Sequence, residues 1–185
     1  MIAIASLWLA ILLSAVVVWI ASFLVLAVLP HHRSDYKGFP DEEAVRAALG
    51  SALAPGQYDI PHIPSRQDAG KPEVRRKFVD GPIGFMTVLK PGFPSAARGL
   101  VLSVVYYLLI GGAVAYVCTR TMPQEADYLA VFRVSGTVAW LAYGTAVIPD
   151  AIWFGRPWSA IGKQLLDALI FGVLTGAVFG WLWPR

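Results

Sequence analysis

The chain has 185 residues, of which 57% are hydrophobic and only 15% are charged, and its mean hydropathy is +0.60. This composition is too apolar for an ordinary soluble domain and predicts a protein that resides in a membrane. The formal net charge is +3, but basic residues are interleaved with acidic ones, so no nucleic-acid partner is indicated. The single cysteine, Cys118, excludes an intramolecular disulfide and any multi-cysteine metal site.

Four apolar stretches are long enough to cross a bilayer as helices, which takes about 20 residues each. They cover residues 2–29, 100–118, 128–148 and 165–183. We therefore predict an all-α membrane protein with four transmembrane helices in an antiparallel bundle, forming a single domain over residues 1–185. The first stretch lacks the basic start and the cleavage site of a signal peptide, so we expect it to remain as an anchor.

Small residues mark the faces on which the predicted helices pack. Gly172, Gly176 and Gly180 are four residues apart, which places them on one face of the last helix. A neighbouring backbone can approach such a face closely because no side chain intervenes. Ala10, Ser14 and Ser22 form a similar stripe on the first helix.

A long polar loop, residues 30–97, separates the first two spans and carries most of the charged residues. Within it, residues 41–53 predict a short amphipathic helix with Asp41 as its N-cap. The prolines and glycine of residues 55–73 predict an irregular path. Residues 83–89 could form an extended piece or lie against the bilayer surface, and both alternatives fit the pattern.

The distribution of basic residues predicts the orientation, because cytoplasmic flanks of membrane spans collect Lys and Arg. Most Lys and Arg residues lie in the 30–97 loop or in the connection at residues 149–163. The opposite face carries only Arg120, Arg185 and the slightly buried Arg133. We therefore expect the 30–97 loop in the cytoplasm and both termini outside it.

Arg133 and Asp167 are charges within predicted spans, where a charge is costly and indicates a functional site by default. Antiparallel helices would place them on opposite sides of the bilayer midplane, so a mutual ion pair is not expected. Arg133 can extend to the interface, and Lys163, four residues before Asp167, predicts a local ion pair. A transport or proton-relay role is the functional alternative to this structural interpretation.

Histidines are the candidates for a metal site. His31 and His32 lie at the predicted membrane edge and His62 lies in the polar loop. With Asp35 and Asp59 they could assemble a divalent-metal site, because imidazole and carboxylate are suitable ligands. Adjacent histidines rarely chelate one ion together, and the spacing matches no established motif. We therefore predict no metal and no other cofactor.

Catalytic motifs offer little support for an enzyme. The sequence has no Gly-Lys-Ser/Thr phosphate loop, no Gly-x-Ser-x-Gly nucleophile elbow and no His-Glu-x-x-His zinc motif. We predict no catalytic residue.

Several short motifs are distinctive: Pro55-Gly56-Gln57-Tyr58, Gly81-Pro82-Ile83-Gly84, Val131-Phe132-Arg133, and Trp153-Phe154 with Arg156-Pro157-Trp158. In these motifs the chain resembles a family of uncharacterised bacterial inner-membrane proteins. The resemblance covers most of the chain and implies a small four-span protein of the bacterial inner (cytoplasmic) membrane. It implies no activity, cofactor or catalytic residue.

The first functional hypothesis is a non-enzymatic accessory, scaffold or assembly protein that presents the 30–97 loop to a partner. The loop is long, rich in proline and mixed in charge, which is typical of a segment that is disordered or that covers a partner or its own bundle. The partners we expect are the lipid bilayer and either another membrane protein or a second copy of the chain.

The second hypothesis is a small oligomeric transporter or channel. Its polar lining would include Thr137, Tyr143, Thr145 and Thr175, although such side chains can equally join helices to each other. A membrane enzyme or metal-binding protein that uses the three histidines is the third hypothesis.

Overall fold

The computed structural model describes residues 2–50, 53–93 and 95–184. The described chain is mostly helical, and four helical stretches are long and apolar enough to cross a membrane. They are Ile4–Val28, Ala96–Thr121, Tyr128–Phe154 and Trp158–Trp181. The prediction of a multi-pass, mostly helical membrane protein is thus confirmed, and the last helix begins earlier than the predicted residue 165.

A segment of two short helices and two strands lies between the first and second long apolar helices. In chain order they are α1 (Trp8–Phe23), α2 (Glu42–Leu49), β1 (Gly56–Ile60), α3 (Pro72–Asp80), β2 (Gly84–Val88), α4 (Ala96–Thr121), α5 (Tyr128–Gly144), α6 (Ile148–Phe154) and α7 (Trp158–Trp181). Short turns extend or connect them: the 3₁₀ turns Ile4–Leu7, Pro30–Asp35, Asp68–Gly70 and Thr145–Val147, and the π-helical turn Leu24–Val28.

The chain, expected to form one domain, divides into two compact units. The bundle unit comprises residues 1–36, 95–151 and 156–185, and the loop unit comprises residues 37–94 and 152–155. All fully buried side chains among the described residues belong to the bundle unit. The hydrophobic core is therefore built from the four long helices.

The closest packing in the bundle unit is between α5 and α7. A Cβ atom on Gly172 would lie 2.9 Å from the backbone oxygen of Gly136, and one on Gly176 would lie 2.9 Å from that of Phe132. A Cβ atom on Gly180 would lie 2.8 Å from a ring carbon of the first residue of α5. Because real Cβ atoms are not found so close to a backbone, this contact requires glycine on α7.

A second close contact joins α1 to α4. Ala10 and Ser14 are 1% and 2% exposed, as their stripe predicted. A Cβ atom on Gly111 of α4 would lie 3.3 Å from the Ile11 side chain and 3.4 Å from the Ser14 hydroxyl. Small residues thus bring these two helices together as well.

The helix predicted at residues 41–53 forms but is shorter. Asp41 is its N-cap: the carboxylate Oδ1 accepts a hydrogen bond from the backbone N–H of Ala44 at 2.9 Å. The helix α2 ends at Leu49 because Gly50 has a φ of 66°, in the left-handed region that terminates helices. Residues 51 and 52 of the predicted helix lie outside the described residues.

The irregular path predicted for residues 55–73 is wrong at residues 56–60 and 72–73, which belong to a strand and to a helix. Gly56 pairs with Val88 and Ile60 pairs with Gly84, so β1 and β2 form an antiparallel hairpin. Pro61 follows β1 directly and therefore removes no hydrogen-bond donor from the strand. For residues 83–89 the extended alternative is confirmed.

Candidate metal centre

Two histidines are presented by the turn that follows the first span. Leu29 adopts extended backbone (φ −77°, ψ 134°), and Pro30, whose φ suits a helix start, opens the 3₁₀ turn Pro30–Asp35. Side chains three residues apart lie on the same side of a 3₁₀ helix. His32 therefore lies beside Asp35, and its Nδ1 is 2.7 Å from the Oδ2 of that carboxylate.

Asp167 of α7 contacts both histidines. Its Oδ1 lies 3.2 Å from the Nε2 of His31, and its Oδ2 lies 2.6 Å from the Nε2 of His32. The residue is only 6% exposed, and the two imidazole centroids are 4.1 Å apart. Three side chains from two distant parts of the sequence thus converge on one point.

The predicted ion pair between Lys163 and Asp167 is wrong. The Lys163 ammonium donates to the Asp35 Oδ1 at 2.7 Å, to the Ser34 hydroxyl at 2.7 Å and to the His31 carbonyl oxygen at 2.6 Å. An ammonium has three N–H donors, and this turn accepts all of them. The spacing within α7 favoured Asp167, but the turn offers three acceptors in place of one.

His32 is held between two carboxylates, and its pKa reflects this position. Partial burial lowers the pKa of His32, but hydrogen bonds with Asp35 and Asp167 and the charges of both carboxylates outweigh it, so the pKa is raised. The hydrogen bond from Lys163, followed by that from His32, lowers the pKa of Asp35. Without a metal ion, the cluster thus favours protonated His32, donating from both ring nitrogens, and ionised Asp35.

The same side chains match the donor set of a divalent metal ion. Among the described residues, His31, His32 and Asp167 each offer one ligand atom, and these atoms all lie within 4.8 Å of one another. Bonds of about 2.0–2.2 Å place the ligand atoms of a tetrahedral site roughly 3.3 Å apart. The His31–Asp167 separation of 3.2 Å fits this value, whereas the 2.6 Å between His32 and Asp167 must widen around an ion.

Asp35 lies where an outer-shell residue would, that is, a residue that contacts a ligand of a metal ion and not the ion itself. A metal-binding histidine usually donates its other ring N–H to a carboxylate, which fixes the tautomer and the ring orientation. Asp35 accepts from the Nδ1 of His32 and leaves the Nε2 for a metal, while Lys163 holds the second oxygen of Asp35. Both nitrogens of His32 thus have a defined partner.

The other charged and histidine candidates have separate surroundings. His62 belongs to the loop unit, where its Nδ1 lies 2.7 Å from the Oδ1 of Asp59. Arg133 is exposed on α5 and lines a hollow of about 200 Å³ together with Trp140 of the same helix. Asp167 pairs with histidine, in agreement with the expectation that it would not pair with Arg133.

Sequence reasoning did not link Asp167 to the histidines. A signal was present, because the predicted topology put the end of the first span and the beginning of the last on the same side of the membrane. His31 and His32 follow the first span, and Asp167 is near the start of the last. This common membrane edge is the sequence signal that would bring the three residues together.

A cleft of about 300 Å³ lies beside Asp167. Aromatic side chains form much of its lining: Tyr106, Tyr107, Tyr143 and Phe171. Gln164 also lines the cleft, and its Oε1 is buried with no hydrogen-bond partner among the described residues. An unpaired buried acceptor costs about 1–3 kcal/mol, so a bound molecule with a donor would be favoured here.

Comparison with known proteins gives no further guide to this site. No family model, no curated protein and no solved structure matches the chain. The resemblance to a four-span bacterial family therefore stays a prediction, and the side-chain geometry is the guide to function.

Proposed function

We propose that this multi-pass membrane protein binds a divalent transition-metal ion at the end of its spans. The ligands are the Nε2 atoms of His31 and His32 and a carboxylate oxygen of Asp167. The observation that supports the proposal is the convergence of these three groups, two of them on the single buried carboxylate. Asp35, on the far side of His32, adds the outer-shell carboxylate that such sites use.

The donor set indicates which ions the site prefers. Two imidazole nitrogens and one carboxylate oxygen suit Zn²⁺, Fe²⁺, Co²⁺ or Ni²⁺, whereas Mg²⁺ and Ca²⁺ prefer oxygen alone and Cu⁺ prefers sulfur. Three protein ligands also leave a fourth tetrahedral position for a further molecule, as in catalytic rather than structural zinc sites. Zn²⁺ and its spectroscopic substitute Co²⁺ are therefore the ions to test first.

A charged hydrogen-bond cluster without metal is the competing explanation. It requires protonated His32 between Asp35 and Asp167, whereas metal binding replaces that proton on the Nε2. Titration of chelator-treated protein distinguishes the metal site from the metal-free cluster. The protein is held in a mild neutral detergent and titrated with Zn²⁺ by calorimetry and with Co²⁺ by visible absorption. We expect one ion per chain and the intense absorption of tetrahedral Co²⁺.

Matched variants assign the ligands. The double variant His31→Ala with His32→Ala and the single variant Asp167→Asn should each lower the affinity for Co²⁺. The loss should exceed the factor of about 10–100 that is typical when a residue supporting a ligand is changed. His62→Ala removes an imidazole from the loop unit and should bind Co²⁺ like the wild type. Wild-type protein that binds neither ion, or equal losses in His62→Ala, would contradict the proposal.

The orientation in the membrane is part of the proposal. We infer an antiparallel bundle in a bacterial inner membrane, with the 30–97 loop in the cytoplasm and both termini outside. The excess of Lys and Arg on the loop side supports this orientation. Arg185, one of the few basic residues assigned to the other side, lies outside the described residues. In this orientation the metal centre faces the cytoplasm.

Partner binding by the loop unit is the second candidate function. Large apolar side chains of this unit are unusually exposed, including Val79 at 86% and the fully exposed Phe93. Such exposure favours the hypothesis of an accessory or assembly protein, because apolar surface is commonly covered by a partner. A photo-crosslinking residue at Val79 should give a discrete protein adduct and one at Glu125, in the α4–α5 connection, should not. Absence of an adduct at Val79 would contradict this candidate.

A further inference from the structure

We infer that the cleft beside Asp167 holds the alkyl chain of a single-chain amphiphile whose acidic head group completes the coordination of the metal. The inference rests on the proposed metal function and names the ligand of that site. The shared chemistry is a carboxylate or phosphate head on one alkyl chain.

The cleft and the metal centre share a residue. Asp167 contacts both histidines and also lines the cleft, so a molecule in the cleft reaches the group that would hold the ion. The volume of about 300 Å³ is at the lower end of the about 300–1,000 Å³ usual for ligand sites. This size fits one chain and its head group rather than a two-chain lipid.

Charge selects the head group. A divalent ion bound by the carboxylate of Asp167 and two neutral imidazoles retains a net positive charge. Asp35 does not cancel it, because the ammonium of Lys163 lies 2.7 Å from that carboxylate and balances it. The fourth position of the ion therefore favours an anionic oxygen over a neutral one.

The lining of the cleft favours an alkyl chain. Apolar and aromatic groups from all four candidate spans line the cleft, with Leu26 from the turn after α1, Val147 from the turn after α5, and Phe171 from α7 among them. Gln164 and Asp167 add an amide and a carboxylate to this lining. The buried Gln164 Oε1 can accept a hydrogen bond from a hydroxyl of the head group. An amphiphile matches a lining that combines apolar and aromatic side chains with these polar groups.

Four probes test the inference on Co²⁺-loaded full-length protein in a neutral detergent. Tetradecanoate and tetradecyl phosphate combine chain and charge, tetradecanol has the chain alone, and acetate has the charge alone. We expect the first two to shift the visible Co²⁺ band, and acetate to need at least about 100-fold higher concentration, since each buried methylene contributes to affinity. Tetradecanol should leave the band unchanged. A response to only one of the two acidic probes identifies the head group as carboxylate or phosphate.

A cleft-filling variant provides the matched control. Val147→Trp should weaken tetradecanoate binding by about 10-fold or more while leaving Co²⁺ affinity unchanged, because Val147 lines the cleft and is not among the ligand group. Val173→Trp makes the same change at an exposed position of α7 that lines the other hollow, and should bind both as wild type does.

The outcomes separate this inference from the metal proposal. Protein that binds no Co²⁺ contradicts the proposed function itself. If the protein binds Co²⁺ but neither acidic amphiphile shifts the Co²⁺ band, only the amphiphile ligand is contradicted. Equal affinity for acetate and tetradecanoate, or equal effects of Val147→Trp and Val173→Trp, shows that the cleft does not hold the chain and overturns the inference.

Discussion

At the scale of the residue, Asp35 has a different role from the three proposed metal ligands. Its Oδ2 accepts from the Nδ1 of His32 and its Oδ1 accepts from Lys163, and it is not among the three converging ligand groups. In the proposed metal site its role is to position the imidazole of His32, so its loss should weaken metal binding without changing the ligands.

Asp35→Asn should therefore lower Co²⁺ affinity by about 10–100-fold while the absorption band keeps its tetrahedral form. Calorimetry gives the affinity and visible spectroscopy gives the ligand geometry. Asp59→Asn alters the corresponding His–Asp pair of the loop unit and should bind like the wild type. An unchanged affinity in Asp35→Asn would show that this carboxylate does not act through His32.

Lys163 connects α7 to the turn after the first span through three hydrogen bonds. Its side chain is 26% exposed, so its contacts are partly shielded from water. We expect Lys163→Met to lower the free energy of unfolding by about 1.5–3 kcal/mol, the range for hydrogen bonds to charged groups.

Chemical unfolding in detergent, followed by circular dichroism, measures this loss. Lys71→Met is the matched control, because Lys71 pairs with Asp68 at the surface, where its side chain is 54% exposed. An exposed pair of this kind contributes about 1 kcal/mol or less. Equal effects of the two variants would show that the Lys163 contacts add no more than a surface ion pair.

At the scale of the element, the contact between α5 and α7 depends on missing side chains. In a membrane, helices gain little from burying apolar surface, so close van der Waals contact of backbones drives their association. Gly176 lies where an added Cβ atom would be 2.9 Å from the Phe132 oxygen and 3.1 Å from the Gly136 Cα. A single methyl group must therefore push the two helices apart.

Gly176→Ala should destabilise the protein by about 1–3 kcal/mol, the usual cost of overpacking. Gly112→Ala is the control in α4, since apart from its chain neighbours and the backbone of its own helix no described atom lies within 4 Å of a Cβ atom at that position. Thermal unfolding in detergent compares the two variants. If Gly176→Ala were as stable as Gly112→Ala, the α5–α7 contact would not need a bare backbone.

At the scale of the whole molecule, the proposed orientation assigns each connection to one side of the membrane. The native Cys118 is fully buried, so it should not react with a polar maleimide, and introduced cysteines can be labelled selectively. Gly70 and Glu125 lie in connections that the proposed topology puts on opposite sides, and both positions are exposed.

We expect a membrane-impermeant maleimide to label Glu125→Cys in intact bacterial spheroplasts and Gly70→Cys only in inverted vesicles. Lysed membranes should label both and confirm that each cysteine is reactive. The opposite pattern would reverse the orientation and place the metal centre outside the cytoplasm.

The sequence by itself determined the features that depend on local chemistry. Apolar length predicted the four spans, and the carboxylate of Asp41 predicted the N-cap of α2, because each depends on residues close together in the chain. The hairpin was missed, since pairing of β1 with β2 depends on a partner strand as much as on the prolines that flank it.

Only the tertiary structure decided the candidate site. The contact between His32 and Asp167 joins residues 135 positions apart, and no helical or strand spacing encodes such a pair. Lys163 had a partner at the right spacing on its own helix, yet it binds the turn after the first span, which offers three acceptors. Which partner a charged group takes depends on all acceptors within reach, and helix packing sets that reach.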